Sequence, residues 1–571
     1  MPKILLVVFI LLLSACASTD LDSSSKQTAE VKTLSLEQIR ANAEAETPAM
    51  IAFLSKCIQY QSVEDFGYQL QPETQQLRDF VLTTAKSMGY KTKTAANGLV
   101  GVVEYGEGQE SVGVLIHLDV VPVSKQETPE WTHPPFSGDV TSEEVWGRGA
   151  QDDKGALASV LWAGKFLIDN QATFKRKLVF ILGTKEEKSF EDLTTYFKEF
   201  PQQQYGPTLG FVPDGAYISQ GEKGIADMDY TFTGLTSSKT ARDSFVAWNG
   251  GTEVNTVADF SYLVINSKNP KQTQAELNQL ITDVTNELKT GKSDTIYGVK
   301  AAYQANLAVS TYRDFIKQFK LKSVPKGDLV LYSKGTAAHG SAPWEGKNAI
   351  VEVALVGARM THSASNAYKN AFEFITRKIG LSTDGSGLGI EYKTKPDLPV
   401  VPPGMDAGQY LGTSANLGLV LVKPEQNQLT LSIDFRTGFA NTNDELFNAS
   451  TQSLAEFSGT AAYQPGIGSH YEPLYFPSDS PLLSLMVNSY KAVNTDHPKE
   501  FPYVFMTPAT TYLKLVKNFV NFGPVDLYPD FYANYFHQKN ERTTIKSLVN
   551  NSVLFAYTLQ NMLQMEQVPL R

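Results

Sequence analysis

The fold of this chain is constrained most by residues 146–155, in which two adjacent acids, Asp152 and Asp153, follow a glycine-rich turn. Gly147 and Gly149 favour turn conformations that other residues resist. Asp152 lies just before a segment with apolar residues at helical spacing, which predicts a helix. The positive N-terminal end of that helix would face any ligand bound by Asp152. The stretch predicts either a metal-binding acid at a helix start or an ordinary acidic helix cap.

The composition is that of a folded soluble protein with more than one domain. The 571 residues are too many for one hydrophobic core. A content of 42% hydrophobic and 19% charged residues excludes disordered, collagen-like and multi-span membrane proteins. The net charge of −10, without any run of basic residues, argues against a nucleic-acid partner.

The N-terminus has the pattern of a bacterial export signal. Lys3 is followed by an apolar run over residues 4–13, which is too short to span a bilayer but typical of a signal peptide. Cys16 follows this run where a bacterial lipobox carries its lipidated cysteine, and simple cleavage with an unmodified Cys16 is the alternative. We expect a signal peptide over 1–15 and a lipidated tether over 16–33.

A lipid anchor of this kind also predicts a location. Ala17, rather than Asp, follows Cys16, which under the usual sorting pattern indicates the outer membrane of a Gram-negative bacterium, facing the periplasm. The only other cysteine is Cys57, so the lipidated protein has no second thiol for an intrachain disulfide. We therefore expect membrane contact through the lipid alone.

Three predicted strands end in acids or histidine. A near-continuous apolar run is typical of a strand that is buried on both faces. The strands and their polar ends are 111–116 with His117 and Asp119, 177–183 with Glu186 and Glu187, and 209–213 with Asp214. The alternation of strand, helix and strand predicts a sheet in which sites gather at the carboxyl ends of the strands.

The grouping of these side chains indicates a bound cation. One histidine at a strand end is more often structural than functional. Here, three strand ends and one helix start all carry His, Asp or Glu. Placing charged groups near buried strands costs free energy, unless the charges are paired or bound to metal. Bunched carboxylates also raise one another's pKa, and a cation removes that penalty. We therefore expect a metal site that includes Asp152.

The pattern of the chain changes after about residue 223 to alternating strands and polar helices, and the first pattern returns near the C-terminus. We expect an α/β catalytic domain over 34–223 and 467–571, with a mixed, mostly parallel sheet and helices on both faces. An α+β lid domain over 224–466 would interrupt it.

Nine short stretches carry a family resemblance. They are residues 117–119, 131–136, 147–155, 186–187, 214, 250–257 around Asn255, 335–349 around His339, 434–436 and 537–541. In this order they resemble the M20 dinuclear metallopeptidases, and most closely the dipeptidase branch with the V-type and carnosinase-like enzymes. Each stretch alone is weak, but nine in the family's order form a specific pattern.

The resemblance implies two divalent metal ions, with zinc expected and manganese as the alternative. One ion would be bound by His117 and Asp214 and the other by Glu187 and His537, with Asp152 bridging both. The reaction implied is metal-assisted hydrolysis, in which paired ions lower the pKa of a bound water and polarise the scissile carbonyl.

The same resemblance implies the catalytic roles. Glu186 would be the general base, and Asp119 would orient the histidine two residues before it. His339, from the inserted domain, would donate a hydrogen bond to the developing oxyanion. Asn255 would support that face of the site, and Arg436 would bind the free carboxylate of the substrate in a bidentate fork.

The chain departs from the family pattern in residues 509–514, where the dipeptidases usually carry Gly-Gly-Thr-Tyr-x-Arg. The side chain of Thr510 limits how closely a substrate can approach the backbone, and Lys514 lacks the planar fork of arginine. This stretch therefore does not predict the shape of the pocket or the choice of substrate. Lys185 stands where many relatives carry an acid. Four histidines match no ligand position and are expected at the surface or in the core: His133, His362, His470 and His497.

The expected function is hydrolysis of short peptides, in the first place dipeptides with a free carboxyl end. We expect a monomer, because the insertion of about 240 residues is large enough to present His339 to the site of its own chain. The alternative within the family is an N-acyl-amino-acid deacylase. The rival from another class is a non-catalytic metal- or peptide-binding lipoprotein, and the presence of Glu186 argues against it.

Overall fold

The computed structural model describes most of the chain. The described residues are 31–123, 128–202, 204, 206–215, 218–236, 241–300, 302–360, 365–390, 393, 406–464, 470–495, 504–507, 512–523 and 537–566. Cys16, the signal peptide and most of the tether lie outside these residues, so lipidation and location stay predictions. Within the described ranges, no helix is long and apolar enough to cross a bilayer.

The described residues form the following strands and helices. The strands are β1 (Lys91–Ala95), β2 (Val100–Tyr105), β3 (Ser111–His117), β4 (Glu144–Trp146), β5 (Lys177–Gly183), β6 (Leu209–Val212), β7 (Ile218–Glu222), β8 (Gly224–Thr233), β9 (Asp243–Gly250), β10 (Phe260–Ser267), β11 (Leu307–Thr311), β12 (Leu329–Lys334), β13 (Ser414–Lys423), β14 (Gln428–Thr437), β15 (Gly459–Tyr463), β16 (His470–Tyr471), β17 (Leu474–Tyr475), β18 (Val504–Thr507), β19 (Phe519–Phe522) and β20 (Arg542–Thr544). The helices are α1 (Leu36–Ile58), α2 (Pro72–Ser87), α3 (Lys154–Asp169), α4 (Glu191–Glu199), α5 (Pro270–Thr290), α6 (Tyr312–Phe319), α7 (Ala349–Gly357), α8 (Asn366–Phe374), α9 (Ala407–Leu411), α10 (Asn443–Leu454), α11 (Pro481–Val493) and α12 (Ile545–Gln564).

The first sheet is mixed, with most of its parallel pairs at its centre. Its strand order in the described part of the chain is β1-β2-β5-β3-β6-β19-β7-β17, and β18 pairs parallel with β7. β3 is parallel to both β5 and β6, and β19 is parallel to β6. β1, β2 and β17 pair antiparallel toward the edges. The predicted α/β class is confirmed, and among the described strands the parallel pairs are those of these central strands and the pair of β7 with β18.

β3 and α3 form where the apolar patterns predict them. All seven residues of β3 are buried, as expected for a strand between two sheet neighbours with helices packed against it. Leu157, Val160 and Leu161 of α3 have no exposed surface. α3 packs against α1 and α12, and both α3 and α12 contact β3. The central strand and the helix that follows Asp152 therefore belong to one hydrophobic core.

The second sheet is antiparallel and has its own core. Its order in the described residues is β11-β12-β10-β9-β13-β14-β8-β15, and β16 also pairs with β8. α5 and α7 pack on β10 and β12, and α8 packs on β8 and β14. Apolar side chains on alternate strand positions, such as Leu263, Leu331 and Leu431, fill the space between these helices and the sheet.

Within the described residues, the chain passes between the two sheets twice. Lys223 joins β7 to β8, and residues 472–473 join β16 to β17. The two crossings lie against each other, because a Cβ atom on Gly224 would come within 2.6 Å of the carbonyl oxygen of Tyr471. The predicted boundary between residues 466 and 467 falls outside the described residues.

Candidate active site

Three strand ends meet at one edge of the first sheet. Because β3 lies between β5 and β6 and is parallel to both, the three strands end at the same edge. His117 is the last residue of β3, Glu186 and Glu187 lie in the turn after β5, and Asp214 follows β6. The structure therefore brings together four of the five side chains that these strands were expected to supply, and the fifth, Asp119, binds the turn with the two glutamates.

Asp152 lies between two histidines from distant parts of the chain. Its Oδ1 is 2.9 Å from Nε2 of His117, and its Oδ2 is 3.2 Å from Nε2 of His537. Nε2 of His537 is also 3.1 Å from Oε1 of Glu187. The Asp152 side chain is 10% exposed and that of His537 is 41% exposed. A carboxylate with one oxygen toward each imidazole has the geometry of a bridging ligand.

The candidate ligand atoms form two overlapping groups. His117, Glu186 and Asp214 form one group, and His117, Asp152 and Glu187 form the other. Within each group, one ligand atom of every residue lies within 4.8 Å of the others. Glu186, the expected base, therefore lies among the expected ligands, close enough to exchange a proton with a molecule bound there.

The acids of this cluster are buried close to one another. Burial, reinforced by Asp214 and Glu187, raises the pKa of Glu186 well above its ordinary value. Burial and the neighbouring Asp152 raise the pKa of Asp214 to about 7. Divalent ions would remove the repulsion between these carboxylates. The donor set of imidazole nitrogens and carboxylate oxygens fits such ions.

Asp119 fixes the turn with the two glutamates and also orients His117. Its Oδ1 accepts a hydrogen bond from the Glu186 N–H at 3.1 Å, and its Oδ2 accepts one from the Glu187 N–H at 3.0 Å. The main-chain oxygen of Asp119 is 3.0 Å from Nδ1 of His117, whereas its Oδ1 is 3.6 Å away. Because a carbonyl only accepts, Nδ1 carries a proton, and Nε2 is the nitrogen that could bind an ion.

Glu541 organises the loop before Asp152 and was not expected as a site residue. Its Oε1 accepts the N–H groups of Gly149, Gln151 and Asp152 at 3.0, 2.9 and 3.1 Å. Its Oε2 accepts a hydrogen bond from Nη1 of Arg148 at 2.8 Å. Gly149 has a φ of 91°, which explains the glycine at this turn. No local sequence pattern reveals this role, because Glu541 lies 393 residues from Arg148.

His339 reaches the site from the loop after β12. Its ring centroid is 6.4 Å from that of His537. The Ser341 N–H donates to Nδ1 of His339 at 3.1 Å, so the neutral ring carries its proton on Nε2. The side chain reaches solvent, but the surrounding protein, Arg436 and His537 lower its pKa to about 3. At neutral pH it is therefore an uncharged hydrogen-bond donor.

Asn255 lies beside His339, and its expected supporting role stays a prediction. The Gly340 N–H donates to the main-chain oxygen of Asn255 at 2.6 Å, and Thr256 forms a β-bridge with His339. The Asn255 side chain is exposed. The short antiparallel pairing of these two loops places both side chains on the same part of the molecule.

Arg436 is directed at Asp434. Its Nε is 2.8 Å from Oδ1 of Asp434, and its Nη2 is 3.2 Å from Oδ2. Arg436 is 6% exposed and is close enough to His339 to lower the pKa of that histidine. Asp434 thus fixes the guanidinium beside His339. The contact with a substrate carboxylate stays a prediction, and it would use other N–H groups than these two.

Lys514 is directed at the main chain where the sheets are joined. Its Nζ donates to the carbonyl oxygens of Glu222 at 2.9 Å and Glu472 at 3.2 Å, one on each crossing. Burial lowers its pKa to about 8. This lysine therefore binds the two crossings together. Thr510, the other departure from the family pattern, lies outside the described residues.

Lys185, His133 and His470 contact side chains outside the candidate site. Lys185 forms a buried ion pair with Glu64, with Nζ 2.8 Å from Oε2. Nδ1 of His133 is 2.9 Å from Oδ2 of Asp139, and the His470 ring lies 4.2 Å from that of Tyr463. His362 and His497 lie outside the described residues.

Most of the chain is similar to known proteins. Residues 113–561 match the model of Peptidase family M20/M25/M40. The protein named "Putative dipeptidase" from Staphylococcus epidermidis is 24% identical over 491 residues, which is 85% of this chain and 89% of that protein. "Putative dipeptidase YtjP" from Bacillus subtilis is 24% identical over 486 residues, 84% of this chain and 88% of that protein.

The fold is similar to that of a solved structure. Human carnosine dipeptidase 1 superposes with a TM-score of 0.50 at 12% sequence identity, over 93% of this chain and 100% of that chain. At this identity the likeness concerns the fold alone.

Proposed function

Because this chain belongs to peptidase family M20/M25/M40, we propose that it is a dipeptidase that binds two divalent ions at the edge of its first sheet. The observation that carries the proposal is Asp152, whose two carboxylate oxygens face Nε2 of His117 and Nε2 of His537. A carboxylate that faces two histidines from different parts of the chain suits two ions rather than one. Relatives named as dipeptidases support short peptides as substrates.

The residues around this carboxylate divide the work of hydrolysis. Two bound ions would supply Lewis acidity for the scissile carbonyl and for the attacking water. Glu186, held through its main-chain N–H by Asp119, takes a proton from that water and returns it to the leaving amine. His339 donates its Nε2–H to the carbonyl oxygen as negative charge develops there, since Nδ1 already accepts from Ser341.

Zinc is the proposed metal, and manganese is the alternative. A set of two imidazoles and three carboxylates suits either ion. The five ligands are His117, Asp152, Glu187, Asp214 and His537. Elemental analysis of the protein purified without added metal or chelator distinguishes the two ions.

A substrate panel tests the proposed reaction. Dipeptides and N-acetyl amino acids both place an amide one residue from a free carboxylate, but only dipeptides carry an α-amino group. We expect dipeptides to be hydrolysed faster than the matching N-acetyl amino acids. The reverse preference would identify a deacylase. Binding of metal without turnover of either class would identify a non-catalytic binding protein.

Arg436 is expected to make the enzyme depend on a free carboxylate. Arg436→Ala should lower kcat/KM on dipeptides by an amount equivalent to about 2 to 5 kcal/mol, the usual effect of truncating one partner of a buried charge pair. It should change hydrolysis of C-terminally amidated dipeptides little. The measurement is kcat/KM on both substrate forms.

A second arginine provides the control for Arg436. Arg377 lies in the same domain with a 53% exposed side chain paired to Glu456, so Arg377→Ala should leave both rates unchanged. Equal losses with Arg436→Ala on free and amidated dipeptides would instead mean that Arg436 acts through its ion pair with Asp434.

We also propose that the catalytic unit is one chain, because His339 lies 6.4 Å from His537 of the same chain. Glu186→Gln and His339→Ala should each be inactive, and mixing the two proteins should restore no activity. A dimer that shares His339 across its interface would regain up to about a quarter of the wild-type activity after random exchange of subunits. Recovery on that scale would refute the single-chain site.

A further inference from the structure

Asp192 is hydrogen-bonded to the turn that follows β5. Its Oδ2 accepts hydrogen bonds from the Thr184 N–H and, at 3.0 Å, from the Lys185 N–H. The hydroxyl group of Tyr512 donates to the same oxygen. Asp192 has no exposed surface, and Tyr512 is 1% exposed. This part of the turn is therefore held by a buried carboxylate that itself has a buried donor.

The next two N–H groups of the turn are held in the same manner. Asp119, also without exposed surface, accepts the N–H groups of Glu186 and Glu187. Four consecutive N–H groups thus point at two buried carboxylates. The position of the Glu186 side chain is set through its main chain, because all of these hydrogen bonds fix the backbone of the turn.

Tyr512 packs against both ends of the turn. A Cβ atom on Gly183, the last residue of β5, would lie 2.1 Å from the Tyr512 hydroxyl oxygen, so only glycine leaves room for it. At the other end, the ring of Phe190 is 5.4 Å from that of Tyr512. Phe190 has a φ of 56°, a left-handed conformation that is costly for a residue with a side chain. Such a conformation persists only when the surroundings enforce it.

The hydroxyl group also favours the charged form of Asp192. Burial raises the pKa of Asp192 to about 6, and the hydrogen bond from Tyr512 acts in the opposite direction. Without that bond, the carboxyl group would be protonated more readily and would be a weaker acceptor for the two N–H groups.

We propose that Asp192 and Tyr512 are positioning residues for the hydrolytic reaction, which act through the turn that carries Glu186. The Tyr512 hydroxyl keeps Asp192 in place, and Asp192 holds the turn so that Glu186 meets the attacking water. This inference rests on the proposed function. It assigns Tyr512 a role in catalysis although its hydroxyl group contacts Asp192 rather than the metal ligands.

The kinetic test compares two substitutions that each remove one buried hydroxyl group. Tyr512→Phe should lower kcat on a dipeptide by about tenfold or more, because small displacements of a catalytic group are costly. KM and the number of bound ions should stay unchanged. Tyr90→Phe is the matched control, since the Tyr90 hydroxyl donates to the Leu161 carbonyl oxygen at 2.8 Å in the same domain. It should lower stability but not kcat.

Asp192→Asn provides a second variant. Asparagine keeps an oxygen acceptor for the two N–H groups but loses the charge, so a loss of kcat smaller than that of Asp192→Ala is expected. Unchanged kcat in both Tyr512→Phe and Asp192→Ala would overturn the inference. So would a loss of kcat that only follows a loss of bound metal, since the pair would then act on ion binding.

Hydrogen exchange supplies a readout that does not depend on activity. The peptide over residues 184–190 should exchange faster in Tyr512→Phe than in Tyr90→Phe. Equal exchange in the two variants overturns the inference even if no dipeptide is a substrate. Inactivity of the wild-type protein toward dipeptides, together with faster exchange in Tyr512→Phe, contradicts the proposed function and leaves the positioning of the turn supported.

Discussion

Glu186→Gln should lower kcat on dipeptides by about a hundredfold or more, the usual contribution of a general base. Glutamine keeps the size of the side chain and the main-chain hydrogen bond to Asp119, but it takes no proton from water. His117, Asp152, Glu187, Asp214 and His537 all remain, so two ions should still bind. The measurements are kcat and the metal content of the desalted protein.

The control for this substitution is an exposed glutamate in the second domain. Glu425 lies in an exposed turn between β13 and β14, and Glu425→Gln should leave kcat unchanged. A Glu186→Gln protein with ordinary activity would mean that another group takes the proton. The mechanism would then have to be rebuilt around a different base.

Asp152→Asn should abolish the tight binding of both ions. Each carboxylate oxygen of Asp152 faces a different histidine, and an amide offers one oxygen, one nitrogen and no charge. Loss of the shared ligand therefore weakens both ion sites at once. We expect fewer than one tightly held ion per chain and loss of dipeptide hydrolysis, since Glu186 would lack an activated water.

Elemental analysis after desalting measures this effect. Asp169→Asn is the matched control, because Asp169 ends the helix that follows Asp152 and its side chain is 49% exposed. The control should keep the wild-type metal content. Retention of one tightly bound ion in Asp152→Asn would show that the two sites are independent, and Asp152 would then be a ligand of one ion only.

The strand ends were the most predictable part of this site. An apolar run followed by a polar residue identifies where a buried strand stops, and the parallel arrangement of β3, β5 and β6 then brings the following residues together. His117, Asp119 and Asp214 could be found in this way. Asp152 was found from its glycine-rich turn and the helix behind it.

The supporting residues could not be predicted in the same way. Glu541 and Tyr512 act on groups 393 and 320 residues away, and no periodicity or local motif links such positions. The Asp119 carboxylate accepts the N–H groups of Glu186 and Glu187 because of the path of the turn that carries them, and the sequence does not reveal that path. The number of parallel pairs was also not predictable, because β19 comes from the C-terminal part and enters the first sheet between β6 and β7.

The position of β19 has a consequence for biosynthesis. Strands β6 and β7 have β19 as a shared neighbour, but Phe519–Phe522 leaves the ribosome only after the whole second sheet has been made. His537 follows later still, 350 residues after its partner Glu187. A nascent chain therefore has neither a closed first sheet nor a complete set of ligands. With the proposed set of ligands, we therefore expect hydrolysis to begin only after translation has passed these residues.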